Sequence, residues 1–599
     1  MATDFEMPRE LPSREVPDLS GLEEAEFNEL KKLYADVAQN PDEYEPWDAL
    51  VKAAENLESG LNRNSSPQAI SAFREIYDRF LAKFPLFFVY WKRYADKEFF
   101  IAGTEAAETV YERGVASIPN SVDLWTNYCA FKVETSHDVD LIRELFDRAA
   151  SYVGLDYQSS PFWDKYLEFE ERFEAPEKVF AILDRISQIP MSKYREYFEK
   201  FRSTAQYRPL TELADLGTLN AYRLDQLRDN PNKTDIEVER DIRVYLDGKY
   251  LDVYTNTQAE TLKRAPFEDL IKRPYFHVTE LEAPELENWR KYLDFEEEFG
   301  TYERTKFLYE RCIVVCALYE EFWLRYARWL HTQGGKTEEV RNVYQRASFI
   351  YVPIVKPTVR LHYAVFEESE GRFDIARDMH LAILMKLPAH LETIISLANL
   401  DRRHGGIDNA IKVYASFLQG QECDLFAKGV LVAEWANLLW KIKGSPDEAR
   451  EVYSKNAQWY RDSRPFWVMW FFFELSQPSS AATEKVQYER IKEVWVSITQ
   501  KAQIGPAVIR DLGKYYMEYL LERGTADSAK EYLKVDHEIN GSFHVRTNKV
   551  RLPEDTKGLG SLYLDGIPEA NEGALRLGQS IHDRYYREPG EQSVAARMY

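Results

Sequence analysis

Few residue strings in this chain have the types and spacing that chemistry requires. Gly334-Gly335-Lys336-Thr337 resembles the end of a phosphate-binding loop, in which a glycine-rich turn, a lysine and a hydroxyl surround a phosphate. The first glycine of that motif would fall at Leu330, and the string follows a predicted helix rather than a strand. We therefore predict a turn between two helices here and no nucleotide-binding site.

Residues that could bind metal are equally scarce. The four cysteines are Cys129, Cys312, Cys316 and Cys423, and no second Cys or His pair stands at zinc-finger spacing from Cys312 and Cys316. We interpret the thiols as small buried side chains in a reducing compartment. No His-Glu-x-x-His, Gly-x-Ser-x-Gly or Cys-x-x-Cys motif occurs. We therefore predict a protein that is not an enzyme, with no catalytic residues, metal or cofactor.

A pair of aromatic motifs recurs along the chain. Trp-x-x-Tyr is followed after about 20 residues by (Val/Leu)-(Tyr/Phe)-x-Arg, and successive tryptophans within a series stand 34 to 38 residues apart. That period is the length of a helix–turn–helix unit. The motif pairs begin at Trp91 and Val110, Trp125 and Leu145, Trp289 and Leu308, and Trp323 and Val343, with a weaker pair at Trp163 and Ile182.

The spacing within the motifs predicts helices that pack in pairs. Trp and Tyr at positions i and i+3 lie on one face of a first helix, and the second motif places a small residue near a large one, as with Ala347 after Tyr344. Each pair buries one face only, so the pairs must stack. We predict an all-α fold, an α–α superhelix (solenoid) of helix pairs in two arrays. The predicted repeat core is Trp47, Trp91, Tyr94, Tyr111, Trp125, Trp163, Trp289, Tyr292, Tyr309, Trp323 and Tyr344.

Composition excludes several classes of protein. The 599 residues are too many for one core, and an aromatic content of 14% exceeds what a disordered chain contains. The formal net charge is −23, and residues 1–60 alone carry 16 acidic and 5 basic side chains. Because a protein that grips nucleic acid by its phosphates needs a basic face, we expect RNA contact to be indirect or minor. We also expect no membrane segment, because no apolar run approaches the length of a membrane span.

The repeats divide the chain into five segments. We predict an acidic leader over residues 1–44, an N-terminal array over 45–205, a helical linker over 206–285, a C-terminal array over 286–540 and a tail over 541–599. The stretch from Asp235 to Arg264 predicts one long helix, a spine between the arrays. We expect the arrays to form an arch hinged within the linker, and the tail to be poorly structured unless it docks.

The stretch Trp467-Val-Met-Trp-Phe-Phe-Phe473 contains more large side chains than one helix can bury on a single stripe. Either its helix lies between two neighbouring repeats or part of it meets another subunit. We predict a dimer interface in the array beyond about residue 430, since an isologous contact uses each anchor twice. The candidate interface residues are Trp467, Trp470, Phe471, Phe472, Tyr515, Tyr516 and Tyr519.

Charged residues of the repeats allow two interpretations. The glutamate beyond the first motif, Glu168 or Glu296, could pair with the arginine of the second motif, Arg185 or Arg311, between the two helices of one unit. Alternatively, each charge could be solvated on its own.

The repeat unit resembles the half-a-TPR (HAT) repeat of RNA-processing scaffolds, over residues 45–205 and 286–535. Two longer strings are similar to the pre-mRNA-processing factor 39 family: Ser160-Pro-Phe-Trp-Asp-Lys-Tyr-Leu-Glu-Phe-Glu170, and Arg273-Pro-Tyr-Phe-His-Val278 running into Leu286-Glu-Asn-Trp-Arg-Lys-Tyr-Leu-Asp-Phe-Glu296. The resemblance implies a nuclear scaffold of the U1 snRNP that supports 5′ splice-site recognition through protein contacts. It also implies U1C and 70K-type subunits as partners, and a dimer with itself or with a paralogue through the C-terminal array.

Two other functions remain open. A HAT-repeat scaffold of mRNA 3′-end cleavage and polyadenylation would share the helical arrays, and an RNA-binding module is disfavoured by charge. The string from Arg273 to Val278 and the long spacer between the arrays favour the splicing scaffold.

Overall fold

The computed structural model describes residues 24–214, 216–229, 233–480 and 482–541, and these residues are helical with no strand among them. Helices account for 77% of the chain, which confirms the predicted all-α fold. The chain divides into two structural units, Met1–Thr332 and Gln333–Tyr599. The first 23 residues of the predicted leader and nearly all of the predicted tail lie outside the described residues.

Unit 1 contains sixteen described α-helices and a short 3-10 turn at Leu57–Ser59. The helices are α1 (Glu24–Gln39), α2 (Tyr44–Glu55), α3 (Pro67–Lys83), α4 (Phe88–Ala102), α5 (Thr104–Ser117), α6 (Val122–Thr135), α7 (Val139–Val153), α8 (Ser160–Arg172), α9 (Pro176–Ser187), α10 (Tyr194–Ala205), α11 (Leu210–Leu213), α12 (Leu216–Asp229), α13 (Asp235–Glu268), α14 (Ala283–Phe299), α15 (Tyr302–Val315) and α16 (Glu320–Thr332).

Unit 2 contains eleven described α-helices, and its first helix continues into a π-helical turn at Arg346–Tyr351. The helices are α17 (Thr337–Gln345), α18 (Thr358–Ser369), α19 (Phe373–Lys386), α20 (Leu391–Gly405), α21 (Ile407–Gln419), α22 (Leu425–Lys441), α23 (Pro446–Asn456), α24 (Arg464–Leu475), α25 (Glu484–Lys501), α26 (Pro506–Glu522) and α27 (Ser528–Asn540).

Local sequence sets where these helices begin and end. The side chains of Ser121 and Asp138 accept hydrogen bonds from backbone N–H groups in the first turns of α6 and α7. Thr234 and Glu237 form a capping box at the start of α13. Gly103, with φ 93°, joins α4 to α5 in a left-handed conformation that a residue with a Cβ rarely adopts.

Buried aromatic side chains form the core of each repeat, and all eleven predicted repeat-core residues are buried. The indole N–H of most of these tryptophans donates to a backbone carbonyl in the turn that precedes its helix, which satisfies the buried polar group. In these repeats the bond therefore fixes the first helix to the turn that follows the preceding helix. The donor and acceptor residues are Trp47 and Pro41, Trp91 and Pro85, Trp125 and Pro119, and Trp323 and Ala317.

The long helix predicted from Asp235 to Arg264 is present as α13, which extends to Glu268. Its 34 residues span about 50 Å at the α-helical rise. Pro266 lies in the last turn of the helix and, having no N–H, cannot donate to the carbonyl of Leu262. Asn288 of α14 donates to the carbonyl of Phe267 at 2.9 Å and so satisfies one of the free acceptors at the helix end.

No helix among the described residues is both long enough and apolar enough to cross a membrane.

Replacing Trp289 by Ala should destabilise unit 1 by about 3–5 kcal/mol, because its side chain is 0% exposed and leaves a large cavity. The measurement is urea-induced unfolding followed by circular dichroism. Trp459→Ala is the matched control, since its side chain is 66% exposed and its loss should change stability by less than about 0.5 kcal/mol. Equal stability losses in the two variants would contradict the assignment of Trp289 to the core.

Candidate protein-interaction surface

Buried ion pairs join one repeat to the next. The arginine lies on the second helix of a repeat, three residues before the aromatic residue of the second motif. It donates to a glutamate on the first helix of the following repeat, which lies four residues after the aromatic residue of the first motif. We call these contacts the repeat-joint ion pairs. They are Arg74–Glu98, Arg143–Glu170, Arg264–Glu296, Arg341–Glu367 and Arg450–Glu474, with Nε–Oε1 distances of 2.7, 2.8, 2.6, 2.8 and 2.8 Å.

The glutamates of these pairs are at most 2% exposed. Between α5 and α6 the same two positions carry the opposite charges, with Glu108 and Lys132 joined at 2.7 Å. A buried charge without a partner is strongly unfavourable, so a joint that buries a charge at one of these positions requires the opposite charge at the other. The joint between α9 and α10 instead has Phe180 and Phe201 at these positions, and their rings stack.

A second polar contact recurs between adjacent repeats. On the second helix of a repeat, an acidic residue directly follows the aromatic residue. It accepts hydrogen bonds from the Tyr of the first motif and the Arg of the second motif in the following repeat. Asp78 accepts from Tyr94 at 3.3 Å and from Arg113 at 2.8 Å. Glu112 accepts from Tyr128 and from Arg148, both at 2.6 Å.

The motif arginines also lie over the tryptophans of their own repeats. Arg113, Arg148, Arg185 and Arg311 stand 5.5, 5.2, 5.4 and 5.9 Å from the ring centroids of Trp91, Trp125, Trp163 and Trp289. These contacts combine cation–π attraction with packing.

The suggested pairing of charges within one unit is therefore wrong. Glu296 pairs with Arg264, and Glu168 is half exposed and pairs with Lys165 one turn away. Arg185 lies over Trp163 instead of pairing with Glu168. The arginine that pairs with Glu296, Arg264, and the glutamate that pairs with Arg311, Glu268, both lie on α13, in the preceding repeat. Sequence reasoning missed the Arg-x-x-(Tyr/Phe) spacing on the second helices and the (Tyr/Trp)-x-x-x-Glu spacing on the first, which recur at five of the repeat joints.

The end of α13 acts as the second helix of a repeat. Arg264, Phe267 and Glu268 occupy the positions that Arg74, Tyr77 and Asp78 occupy on α3. Phe267 stacks on Tyr292 with ring centroids 5.0 Å apart, and the Tyr292 hydroxyl donates to Glu268 at 2.9 Å. The loop of residues 269–282 is longer than the other turns between repeats. The usual spacing between motifs is therefore lost, and the repeat cannot be recognised from the sequence.

Arg311 connects three parts of unit 1. Its guanidinium donates to both carboxylate oxygens of Glu268, at 2.6 and 2.8 Å, and its Nε lies 3.2 Å from Asp156 in the turn between α7 and α8. All three side chains are less than 9% exposed. Burial lowers the pKa of Arg311, but Asp156 and Glu268 outweigh it, so the pKa lies above its ordinary value. Burial raises the pKa of Asp156, and Arg311 offsets part of this effect.

The string from Arg273 to Val278 packs on the first repeats of unit 1. The Phe276 ring lies 5.2 Å from Phe87, between α3 and α4. The His277 ring lies 6.4 Å from the rings of both Tyr44 and Phe87. The linker thus returns to a surface almost 200 residues earlier in the chain.

The candidate dimer residues lie mainly inside unit 2. Trp467, Trp470, Phe471, Tyr516 and Tyr519 are buried within the chain itself, whereas Phe472 and Tyr515 are half-buried and contact each other with ring centroids 5.1 Å apart. The seven residues belong to one core cluster of α22–α27. Aromatic excess alone therefore gives no reason to place them in a dimer interface, and the predicted interface stays a prediction.

Two exposed apolar side chains of the last two helices are not among the candidate dimer residues. Leu521 of α26 and Leu533 of α27 are 66% and 68% exposed. Single exposed apolar residues are common on protein surfaces, but large ones near the end of an array can serve as anchors for a partner.

The glycine–lysine string and the cysteines have structural roles. Gly334 and Gly335 form the turn that leads into α17, and Lys336 pairs with Glu339 at 2.8 Å. Cys312 and Cys316 are buried, and burial raises the pKa of the Cys312 thiol. Within the residues described, no group of three or more His, Cys, Asp or Glu side chains could hold a metal ion.

Comparison with known proteins identifies the family. Residues 31–203 match the family described as PRP39 N-terminal HAT repeat, and residues 262–403 match PRP39 C-terminal HAT repeat. Pre-mRNA-processing factor 39 of Schizosaccharomyces pombe is 43% identical over 589 residues, which cover 94% of this chain and 96% of the relative. The chain belongs to the pre-mRNA-processing factor 39 family.

Two further relatives have lower sequence identity to this chain. Pre-mRNA-processing factor 39 of Homo sapiens is 30% identical over 92% of this chain and 86% of the relative. The U1 small nuclear ribonucleoprotein component PRP42 of Saccharomyces cerevisiae is 24% identical over 52% of this chain and 58% of the relative. The crystal structure of CSTF-77 superposes with a TM-score of 0.50 at 14% identity, covering 78% of this chain and 90% of that one, which supports the superhelical fold.

Replacing Arg311 by Met should destabilise unit 1 by about 3–5 kcal/mol near neutral pH, because Asp156 and Glu268 are left buried without a cation. A carboxyl whose folded-state pKa is raised binds its proton more tightly when folded, so its contribution to stability is present at low pH and lost as pH rises through that pKa. The deficit of the variant should therefore shrink between about pH 8 and about pH 5. The measurement is urea unfolding of both proteins across this range.

Arg290→Met is the control for this prediction. Arg290 forms ion pairs with Glu287 and Glu321 at the surface, where such pairs contribute about 0–1 kcal/mol. A deficit of the Arg311 variant that stayed constant with pH would exclude the buried carboxylates as its cause.

Proposed function

We propose that the protein is a non-catalytic scaffold of the U1 snRNP in pre-mRNA splicing, acting in the nucleus. The observation that carries the proposal is the near full-length match to pre-mRNA-processing factor 39 of S. pombe, which includes both arrays and the linker between them. The similarity to a relative named as a component of the U1 small nuclear ribonucleoprotein points to the same particle.

The repeat joints support a scaffold role. Stacked helix pairs present long surfaces on which several proteins can bind at once, and five of the joints here contain a buried arginine–glutamate ion pair. We propose that these ion pairs hold the binding surfaces of the repeats they join in a fixed register. We propose that these surfaces bind U1C and 70K-type subunits and so support 5′ splice-site recognition.

Charge supports protein rather than RNA as the principal partner. The formal net charge of −23 opposes phosphate binding and favours partners with basic surfaces. The likeness to CSTF-77 concerns the fold alone and does not favour a function in 3′-end processing.

Affinity purification of the full chain from nuclear extract should enrich U1 snRNA. After nuclease digestion of the RNA, U1 proteins should remain bound, because the proposed contacts are between proteins. The measurement is RNA sequencing before digestion and mass spectrometry after it. Recovery of polyadenylation factors without U1 snRNA would overturn the proposal, and loss of all U1 proteins after digestion would show that RNA mediates the association.

We further propose that the chain forms a dimer, with itself or with a paralogue, through the C-terminal array beyond about residue 430. Leu521 and Leu533 are exposed in this region, so changing both to Glu should prevent association and leave the core intact. Met385→Glu is the control, since Met385 is also exposed but lies outside the region.

Sedimentation should show a dimer for the wild type and the control, and a monomer for the double variant. If the wild type is a monomer, the same comparison is made with the paralogue added. A double variant that associates as tightly as the wild type would exclude these two residues as anchors.

A further inference from the structure

The joint between α19 and α20 carries an aspartate where the repeat-joint ion pairs carry a glutamate. Arg377 lies three residues before His380, and Asp401 lies four residues after Leu397, so both occupy the joint positions. The carboxylate of Asp401 receives one hydrogen bond from Arg377, from Nε at 3.2 Å. In the five glutamate joints the arginine donates twice, from Nε and from a terminal nitrogen. The shorter side chain of aspartate therefore leaves this joint half made.

One edge of the Arg377 guanidinium is consequently free. Its two terminal nitrogens have no hydrogen-bond partner among the described residues, and the side chain is 41% exposed. A guanidinium can donate two parallel hydrogen bonds to a single oxyanion. Arg377 thus binds Asp401 through one nitrogen and keeps two nitrogens for a ligand.

Arg377 lines a groove of about 550 Å³ between α19, α20 and α21. The rings of Phe373 and His404 form one wall, with their centroids 4.5 Å apart. A Cβ at Gly405 would overlap the Asn409 amide, so glycine leaves room for that amide in the groove. The volume is within the range of small-ligand sites, about 300–1,000 Å³.

A second cation without a carboxylate partner lines the same groove. Lys412 lies with Asn409 and Ser416 on one face of α21, at intervals of three and four residues. Its ammonium donates to the Asn409 side chain at 3.3 Å and forms no ion pair within the part of the chain that the structure describes. Of the described residues that line the groove, Asp401 alone is acidic. With His404 counted as neutral, the groove carries one net positive charge.

The surrounding charge does not repel an anion. Residues 333–541 carry 27 basic and 28 acidic side chains, so almost none of the formal charge of −23 comes from this part of the chain. Glu368, which contacts His404, is also held by two hydrogen bonds from Arg403 at 2.6 Å. The acidity that opposes phosphate binding elsewhere in the chain is therefore absent around this groove.

We propose that the groove between α19, α20 and α21 binds a phosphate monoester, carried by a phosphorylated Ser or Thr of a partner protein. The terminal nitrogens of Arg377 donate to two phosphate oxygens, and the ammonium of Lys412 donates to the third. The inference concerns unit 2 alone and does not depend on the splicing function.

The donors in the groove favour this ligand over other anions. A phosphate monoester has three free oxygens and a charge of about −1.5 to −2, which suits a guanidinium edge together with an ammonium. A carboxylate has two oxygens, and both would be taken by the Arg377 edge. An RNA phosphate has a single charge, and RNA is bound along a row of cations rather than by one pair.

The test measures binding of N-acetyl-O-phosphoserine amide to the full chain by saturation-transfer NMR on the acetyl methyl group. The amides of N-acetylserine and N-acetylaspartate are the matched ligands without phosphate. The phosphoserine derivative should bind with a Kd of about 1 mM, and more weakly at high salt. Each matched ligand should bind at least about tenfold more weakly.

Two variants that keep the fold locate the site. Arg377→Lys retains a cation beside Asp401 but removes the free guanidinium edge. Lys412→Gln removes an exposed charge that forms no ion pair with any described residue. Each change should weaken the phosphoserine derivative at least about fivefold, since each removes a charged hydrogen bond, and should leave the melting temperature unchanged.

Matched controls change the same residue types outside the groove. Arg403 is also 41% exposed, but it donates from both Nε and a terminal nitrogen to Glu368. Lys386 is an exposed lysine of α19 that does not line the groove. Arg403→Lys and Lys386→Gln should therefore leave the affinity unchanged.

Several outcomes would overturn the proposal. They are no binding of the phosphoserine derivative, equal binding of the aspartate derivative, and equal losses of affinity in the groove variants and their controls. A single-stranded RNA of about ten nucleotides is added as a competitor. If it displaces the phosphoserine derivative from the wild type and fails to bind the Lys412 variant, a nucleic acid occupies the groove and the proposal is wrong.

Discussion

The stacking at five of the repeat joints depends on a buried carboxylate that its own repeat cannot satisfy. Glu98, Glu170 and Glu296 lie on first helices, at positions covered by the preceding repeat, and each receives an arginine from that repeat. An unpaired carboxylate in such a place is strongly unfavourable, whereas a completed pair adds little beyond what apolar residues would contribute. The ion pair therefore fixes which residues of two adjacent repeats face each other. Apolar faces alone would tolerate a shift by one helical turn, but such a shift would leave both charges without partners.

The reversed joint supports this interpretation. Lys132 and Glu108 occupy the two positions with exchanged charges, and the distance between their charged atoms, 2.7 Å, is within the range of the other joints. What these charged joints share is charge complementarity at two fixed positions. The acidic residues that follow the aromatic residues, such as Glu112, add a second constraint, because each holds a Tyr and an Arg of the following repeat.

The sequence permits prediction of the fold but of few polar contacts. Trp and Tyr recur at fixed spacing because each must fill the same cavity in every repeat, so one chain suffices to reveal the core. The ion partners of Glu296 and Arg311 could not be found in this way, because the motifs were compared within one repeat while the partners belong to adjacent ones. The repeat whose second helix is the end of α13 was missed for a related reason, since a long loop separates Phe267 from Trp289.

The stretch from Trp467 to Phe473 shows a limit of reasoning from one helix. A helix inside an array has neighbours on more than one side, so it can bury residues all around its axis. Trp470 stacks on Tyr453 of the preceding helix, whereas Phe471 packs against Trp495 and Tyr516 of the following helices. Aromatic residues in consecutive positions therefore indicate an interior place in an array.

The same reasoning explains why α13 differs from the other helices. A repeat helix of about four turns is covered along its length by helices of similar length, but a helix of 34 residues extends beyond any such neighbour. Its two ends are held by α12 and α14, which leaves the middle of one side uncovered. A helix needed only as a spacer would carry polar residues on that side. Val244, Leu251 and Leu262 are apolar and exposed instead, and Gly248, which lowers helix stability locally, lies between the first two of them.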